Sequence, residues 1–225
     1  MNVENEIAQE MEFNREQLGT RIPDRVEELL HTIDGSRDRL EEWCASLFIK
    51  IGNSILRVSG DLVLTIGRDA LPASAWCARN LLELWIWTKY CAASREKARR
   101  FHEDALRDIA GLIEAHAAMC KLAGIPYTKE AQSRRRLAEE AQKVTGSASI
   151  DSAFERVSNA AMRVGLGEPF RAWNSHLSKF AHPTAGLVIG IMHQTATLAG
   201  VQSDCTTLGL YYAGQCVMGL EEVVS

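Results

Sequence analysis

The sequence predicts an all-α fold, a multi-helix bundle of about six to eight helices around a buried central helix at residues 72–93. Three observations favour this fold class. Apolar residues recur at helical spacing along most of the chain, and the one β-rich run, DLVLTIG at residues 61–67, has no partner strand elsewhere. The segment LPASAWCARNLLELWIWTKYCAA at residues 71–93 is apolar almost all the way round and too long for an ordinary strand, which is typical of a buried helix.

Charged side chains in the central helix argue against a membrane span. Arg79, Glu83 and Lys89 interrupt its apolar run, and charges at bilayer depth are costly. Arg79 and Glu83 are four residues apart and therefore share one helix face. Buried ions persist only when they are paired and hydrogen-bonded. These two side chains are therefore predicted to form either a structural ion pair or a polar binding pocket inside the bundle.

The composition is that of an ordinary soluble globular protein, with 46% hydrophobic and 24% charged residues in a chain of 225. The net charge is −4, so nucleic-acid binding would need a local basic patch. The six cysteines form no C-x-x-C pair, and most of them lie in apolar helical patterns. This predicts reduced, packed thiols, a cytoplasmic location and no disulfide-linked partner. We expect no secretory signal, since the N-terminal residues are acidic.

The first 35 residues are predicted to form an N-terminal helical extension, and residues 36–225 the helical bundle domain. In the extension, one amphipathic helix is expected to stop at Gly19 and a second to cover residues 25–33. The bundle domain begins with a long helical stretch at residues 36–67, which Gly60 could break, because glycine weakens a helix interior.

After the central helix, Ser94 is predicted to begin a long helix that ends before Gly124. The next helix carries the basic run Arg134, Arg135 and Arg136, for which we keep two interpretations: a solvated helix face or a patch that contacts phosphate. An amphipathic helix around residues 208–220 ends the chain.

The segment EPFRAWNSHLSKFAHPTAG at residues 168–186 has the highest density of candidate functional side chains. On an ideal helix of about 100° per residue, one polar stripe contains Arg171, Ser175, Ser178 and His182. Pro183 disfavours helical dihedral angles at His182, so the helix should end there. The negative end of the helix dipole favours a protonated imidazole at that position. His182 is therefore predicted to be either a proton donor or a helix cap.

Two motifs together resemble a bacterial family called domain of unknown function 5677. The motifs are Arg-x-x-x-Glu, formed by Arg79 and Glu83, and a later Ser-x-x-x-His-Pro, formed by Ser178, His182 and Pro183. The resemblance implies an all-helical cytoplasmic protein of bacterial origin whose biochemical activity is not established.

The segment RAWNSH also resembles the Arg-x4–6-His motif of HEPN (higher eukaryotes and prokaryotes nucleotide-binding) domains, on Arg171 and His176. That resemblance implies a helical bundle, often dimeric, that cleaves RNA or binds nucleotides without a metal or other cofactor. The family usually has a polar residue where this chain has Ala172. Arg171 and His176 would point roughly 140° apart on a straight helix, whereas Arg171 and His182 share a face.

Three functions follow as hypotheses, and whether the protein is an enzyme stays open. In a HEPN-like ribonuclease, Arg171 would hold the scissile phosphate, and His176 or His182 would act as general base or acid. In a non-catalytic protein- or ligand-binding module, those three side chains would be dispensable. The candidate binding residues are Arg79, Glu83, Ser178 and Lys179.

The third hypothesis is a ferritin-like metal site. Its candidate ligands would be Glu83, His102, Glu103 and His116. Such sites usually contain Glu-x-x-His on two helices, and this chain does not have that motif on two helices, so we predict no metal and no other cofactor. The predicted partners are RNA or a nucleotide and further copies of the same chain.

Overall fold

A computed structural model describes residues 3–146, 154–182, 184 and 198–225, and within these residues the chain is helical, without strands. The all-α prediction is confirmed. The helices are α1 (Val3–Glu16), a π-helix (Gln17–Arg21), α2 (Ile22–Gly35), α3 (Glu42–Val63), α4 (Leu71–Ala92), α5 (Arg95–Leu122), α6 (Glu130–Thr145), α7 (Val157–Arg163), α8 (Gly167–Ala181) and α9 (Leu198–Val224). No helix in these ranges is long and apolar enough to cross a membrane.

The contacts within the chain define two compact units. The bundle unit comprises Met1–Ala93 and Val157–Ser225, and the hairpin unit comprises Ser94–Arg156. Helices α1 and α2, which the sequence analysis assigned to an N-terminal extension, lie in the bundle unit, where both pack against α9. By these contacts the second unit is formed by α5 and α6.

Helix α4 is the centre of the bundle unit, as predicted for residues 72–93. It begins at Leu71 with Pro72 in its first turn and packs against α3, α7, α8 and α9. Leu81, Leu82 and Ile86 are completely buried. Neighbours on several sides explain why this sequence is apolar almost all the way round: a helix with one solvent-exposed face would show a clear polar stripe.

The predicted stop at Gly19 is wrong, because the chain stays helical from α1 through the π-helix into α2. In the π-helix, the Ile22 N–H donates to the Gln17 carbonyl, one residue further back than in an α-helix. Pro23 follows directly. Proline has no N–H to donate to the carbonyl of Gly19, and its ring would crowd that carbonyl in a regular α-helix. The wider turn accommodates the ring while Leu18 remains completely buried.

Gly60 does not break α3, which runs from Glu42 to Val63. The helix ends three residues later, in a turn that includes Gly67 at φ 77°, a conformation that favours glycine. Ile55 and Leu62 on either side of Gly60 are completely buried. Their packing therefore outweighs the weak helical preference of one exposed glycine.

The cysteines are free thiols, and all except Cys120 are buried. Burial raises the pKa of Cys77 to about 11 and that of Cys205 to about 12, because a thiolate is poorly solvated in an apolar interior. These thiols are core side chains with little nucleophilic character at neutral pH.

Candidate functional site

Helix α8 brings together most of the polar side chains singled out in the sequence. Its buried residues are Phe170 and Leu177, two turns apart, and the helix packs against α4 and α7. Because these two side chains face the core, the stripe that contains Arg171, Ser175 and Ser178 lies on the side of α8 that faces away from the core.

A groove with a cavity of about 650 Å³ runs along α7 and α8 on that side. Arg171 and Lys179 supply two positive charges to its lining, and Asn174 supplies an amide. Hydroxyl groups come from Ser158, Ser175, Ser178 and Thr184. The described residues that line the groove include no carboxylate, although the whole chain is acidic. The groove therefore favours an anionic ligand.

Arg79 on α4 joins this region to the centre of the bundle. Its Nε donates to Asn174 Oδ1 at 2.9 Å, and its Nη1 lies 3.0 Å from His182 Nε2. Its Nη2 lies 3.2 Å from Glu83 Oε1 in the predicted i, i+4 ion pair. Asn174 also lines the groove, so one guanidinium links a carboxylate on α4 to an amide and an imidazole at α8.

The ionisation of this cluster follows from its burial and hydrogen bonding. Burial raises the pKa of Glu83, and the nearby positive charge of Arg79 lowers it by less. A guanidinium can only donate hydrogen bonds, so His182 Nε2 must accept from Arg79. This assignment places a ring proton on Nδ1 while the contact with Arg79 is present.

His182 itself ends α8 as predicted. The helix stops at Ala181, and His182 has extended dihedral angles, φ −125° and ψ 153°. A following proline favours this conformation. Pro183 itself, and the stretch at residues 185–197, lie outside the described residues.

The residues predicted for the site lie in three places. Arg171, Ser178 and Lys179 lie together in the groove. Arg79, Glu83 and His182 form the cluster around the guanidinium described above. His176 is exposed, with its ring packed on Phe180 at a centroid distance of 5.4 Å. Neither His176 nor His182 is among the described residues that line the groove, and only His182 is linked to the groove, through Arg79 and Asn174.

Asn174 was not among the residues predicted for the site, although it lines the groove and accepts a hydrogen bond from Arg79. It lies three residues after Arg171 and four before Ser178, so it belongs to the same helix face. That spacing was the available signal.

An aromatic cluster sets the position of α8 against the core. Trp173, the neighbour of Asn174, lies 6.0 Å from Trp85 on α4 and 5.6 Å from Tyr212 on α9, measured between ring centroids. Aromatic pairs at such distances are stabilising beyond the area that they bury. The packing of three helices through Trp173 therefore holds Asn174 within reach of Arg79.

The part of the chain that the structure describes contains no support for the ferritin-like alternative. Within the described residues, no group of three or more His, Cys, Asp or Glu side chains could hold a metal ion. His116, one of the candidate ligands, packs instead on Tyr127 with ring centroids 4.6 Å apart.

No protein family, curated protein or solved structure matches this chain. The two resemblances found in the sequence therefore stay predictions.

Proposed function

We propose that this protein binds the phosphate groups of RNA in the groove along α7 and α8 and cleaves the RNA without a metal ion, in the manner of HEPN ribonucleases. The observation that supports this function is the lining of the groove, in which Arg171 and Lys179 are accompanied by hydroxyl groups and an amide. Phosphate oxygens accept hydrogen bonds from all of these groups. No carboxylate of the described lining would repel them.

The spacing of the two cations favours a ligand with more than one phosphate. Arg171 and Lys179 are two helical turns apart, which separates their main-chain atoms by about 12 Å along the axis of α8. A nucleic-acid backbone, which carries one phosphate per nucleotide, can engage both of them. Ser175 and Ser178 lie between them in the sequence and in the groove. A single strand of RNA fits this arrangement.

In the proposed reaction, Arg171 holds the scissile phosphate and stabilises its developing negative charge. The 2′-oxygen bonds to phosphorus as the bond from phosphorus to the 5′-oxygen breaks, leaving a 2′,3′-cyclic phosphate and a 5′-hydroxyl. A general base takes the proton of the 2′-hydroxyl, and a general acid protonates the departing oxygen. His182 is our candidate for the base, because it ends the helix that carries Arg171 and contacts Arg79, whose Nε donates to the groove residue Asn174. This role requires Nε2 to be released from Arg79 when RNA binds.

A second candidate function, a binding module without catalysis, is favoured by one specific contact. The lone pair of His182 Nε2 accepts from Arg79, and that guanidinium is also held by Glu83 and Asn174. If the contact persists with RNA bound, Nε2 cannot take up a proton. The protein would then retain RNA without cleaving it.

Binding is tested by fluorescence anisotropy with a labelled single-stranded RNA at several salt concentrations. The variant Arg171→Ala/Lys179→Ala removes both cations of the groove, and the control Lys50→Ala/Arg57→Ala removes two exposed cations of α3. We expect the groove variant to raise Kd by roughly tenfold or more. In a plot of log affinity against log salt concentration, the slope for the groove variant should be shallower than that for the wild type. We expect a difference of about 0.7 for each RNA phosphate that is no longer neutralised. Equal affinities of the two variants would contradict the proposal.

Cleavage is tested with the same RNA in EDTA, by the wild type beside Arg171→Ala, His176→Ala and His182→Ala. We expect Arg171→Ala and His182→Ala to lose cleavage and His176→Ala to retain it, with circular dichroism to check folding. RNA binding without cleavage by the wild type would favour the non-catalytic module. Absence of RNA binding would reject both candidates.

A further inference from the structure

The hairpin unit leaves a row of large apolar side chains exposed on α5. Ile109, Leu112, Met119 and Leu122 are between 47% and 90% exposed. Their spacing of three, seven and three residues places them along one side of the helix, over about 20 Å. Helices ordinarily bury such a stripe against another element, so this face has the pattern of an interface.

The size of the row favours a helical partner over a small molecule. A cavity of about 410 Å³ lies between α5 and α6 and is lined by Ile109, Leu112 and Leu137. Met119 and Leu122 continue the apolar row beyond that cavity. A small ligand would fill the cavity and leave these two side chains in water, whereas a second helix packed along α5 would cover the whole row.

The charges beside the row identify which partner fits. Helix α6 contains the sequence RRRLAEE at residues 134–140, in which basic residues precede Leu137 and acidic residues follow Ala138. Arg136, Leu137 and Glu140 line the cavity, so this segment borders the apolar face. Two copies of the segment placed antiparallel bring opposite charges together about a centre between Leu137 and Ala138.

We propose that the partner is a second copy of this chain, bound through the α5–α6 face about a twofold axis. In that arrangement Arg135 of each copy faces Glu139 of the other, and Arg136 faces Glu140, because residues four apart share a helix flank and the twofold axis pairs like flanks. A twofold interface repeats each contact, so one self-complementary segment supplies four opposite-charge pairs. The apolar rows of the two α5 helices are then buried in a bundle of four helices.

Sedimentation equilibrium over a range of protein concentrations measures the association. The variant Arg135→Glu/Arg136→Glu makes both halves of the segment acidic, and Glu139→Arg/Glu140→Arg makes both halves basic. Each should dimerise at least about tenfold more weakly than the wild type, because like charges then face each other. The control Lys50→Glu/Arg57→Glu changes the net charge by the same amount as the acidic variant, on exposed positions of α3, and should leave the dimer unchanged.

Two restorations make the test specific. A mixture of the acidic and basic variants should form a heterodimer. The variant that carries all four substitutions has the acidic and basic halves exchanged, and it should dimerise again. Circular dichroism checks that each variant is folded. A wild type that stays monomeric at every concentration would overturn the proposal, as would a wild-type dimer that both charge reversals leave as strong as the control.

Discussion

Arg79 and His182 are 103 residues apart in the sequence, yet their Nη1 and Nε2 atoms lie 3.0 Å apart. The contact joins the central helix α4 to the end of α8, and it joins the two motifs on which the family resemblance depends. In the sequence the two motifs are separate features. In the structure they are parts of one polar cluster.

We expect Arg79 and His182 to be energetically coupled. A double-mutant cycle with Arg79→Ala and His182→Ala, followed by urea unfolding, should give a coupling free energy of about 0.5–1 kcal/mol, which is typical of one hydrogen bond near a surface. The matched cycle combines Arg79→Ala with His176→Ala, which is at an exposed position of α8, and it should show no coupling. Equal coupling in the two cycles would contradict the contact.

We expect Glu83 to make stability depend on pH. Burial raises the pKa of Glu83, so the folded state binds this proton more tightly than the unfolded state does. The contribution of Glu83 is therefore most favourable below the ordinary pKa of a glutamic acid, about 4.3. It decreases as the pH rises from that value through the raised folded pKa.

The variant Glu83→Gln cannot titrate at this position and isolates the effect. The free energy of unfolding of the wild type minus that of Glu83→Gln should fall as the pH is raised from about 4 to about 7, as measured by urea unfolding. The same series on Glu114→Gln, an exposed position, corrects for the loss of one negative charge. A difference that rises with pH would show that the ion pair with Arg79 outweighs burial.

We expect two glycines of α9 to respond oppositely to alanine. A Cβ at Gly209 would clash with Leu62 of α3, whereas a Cβ at Gly214 would meet no atom within 4 Å. Gly209→Ala should therefore lower the free energy of unfolding by about 1–3 kcal/mol through overpacking. Gly214→Ala should raise it by about 0.5–1 kcal/mol, because alanine favours the helix. Thermal unfolding of both variants measures the contrast, and a stabilising Gly209→Ala would show that α9 does not pack this closely.

Much of the fold could be predicted because local patterns determine it. Pro72, the apolar run after it and the polar residues near Ser94 were sufficient to place α4, and Pro183 was sufficient to end α8 near His182. Helix boundaries that depend on tertiary packing were predicted less well. The predicted helix end at Gly19 was wrong, since buried Leu18 and the π-helix before Pro23 keep the chain helical.

The all-α class, the central helix and the i, i+4 pair of Arg79 and Glu83 follow from the sequence alone, because helical periodicity and spacing are properties of neighbouring residues. The contacts of Arg79 with Asn174 and His182 do not follow from the sequence alone. Those contacts join α4 to α8, and they depend on how the aromatic side chains around Trp173 pack the two helices. The pairing of distant side chains is set by packing in three dimensions, for which a single sequence carries no local pattern.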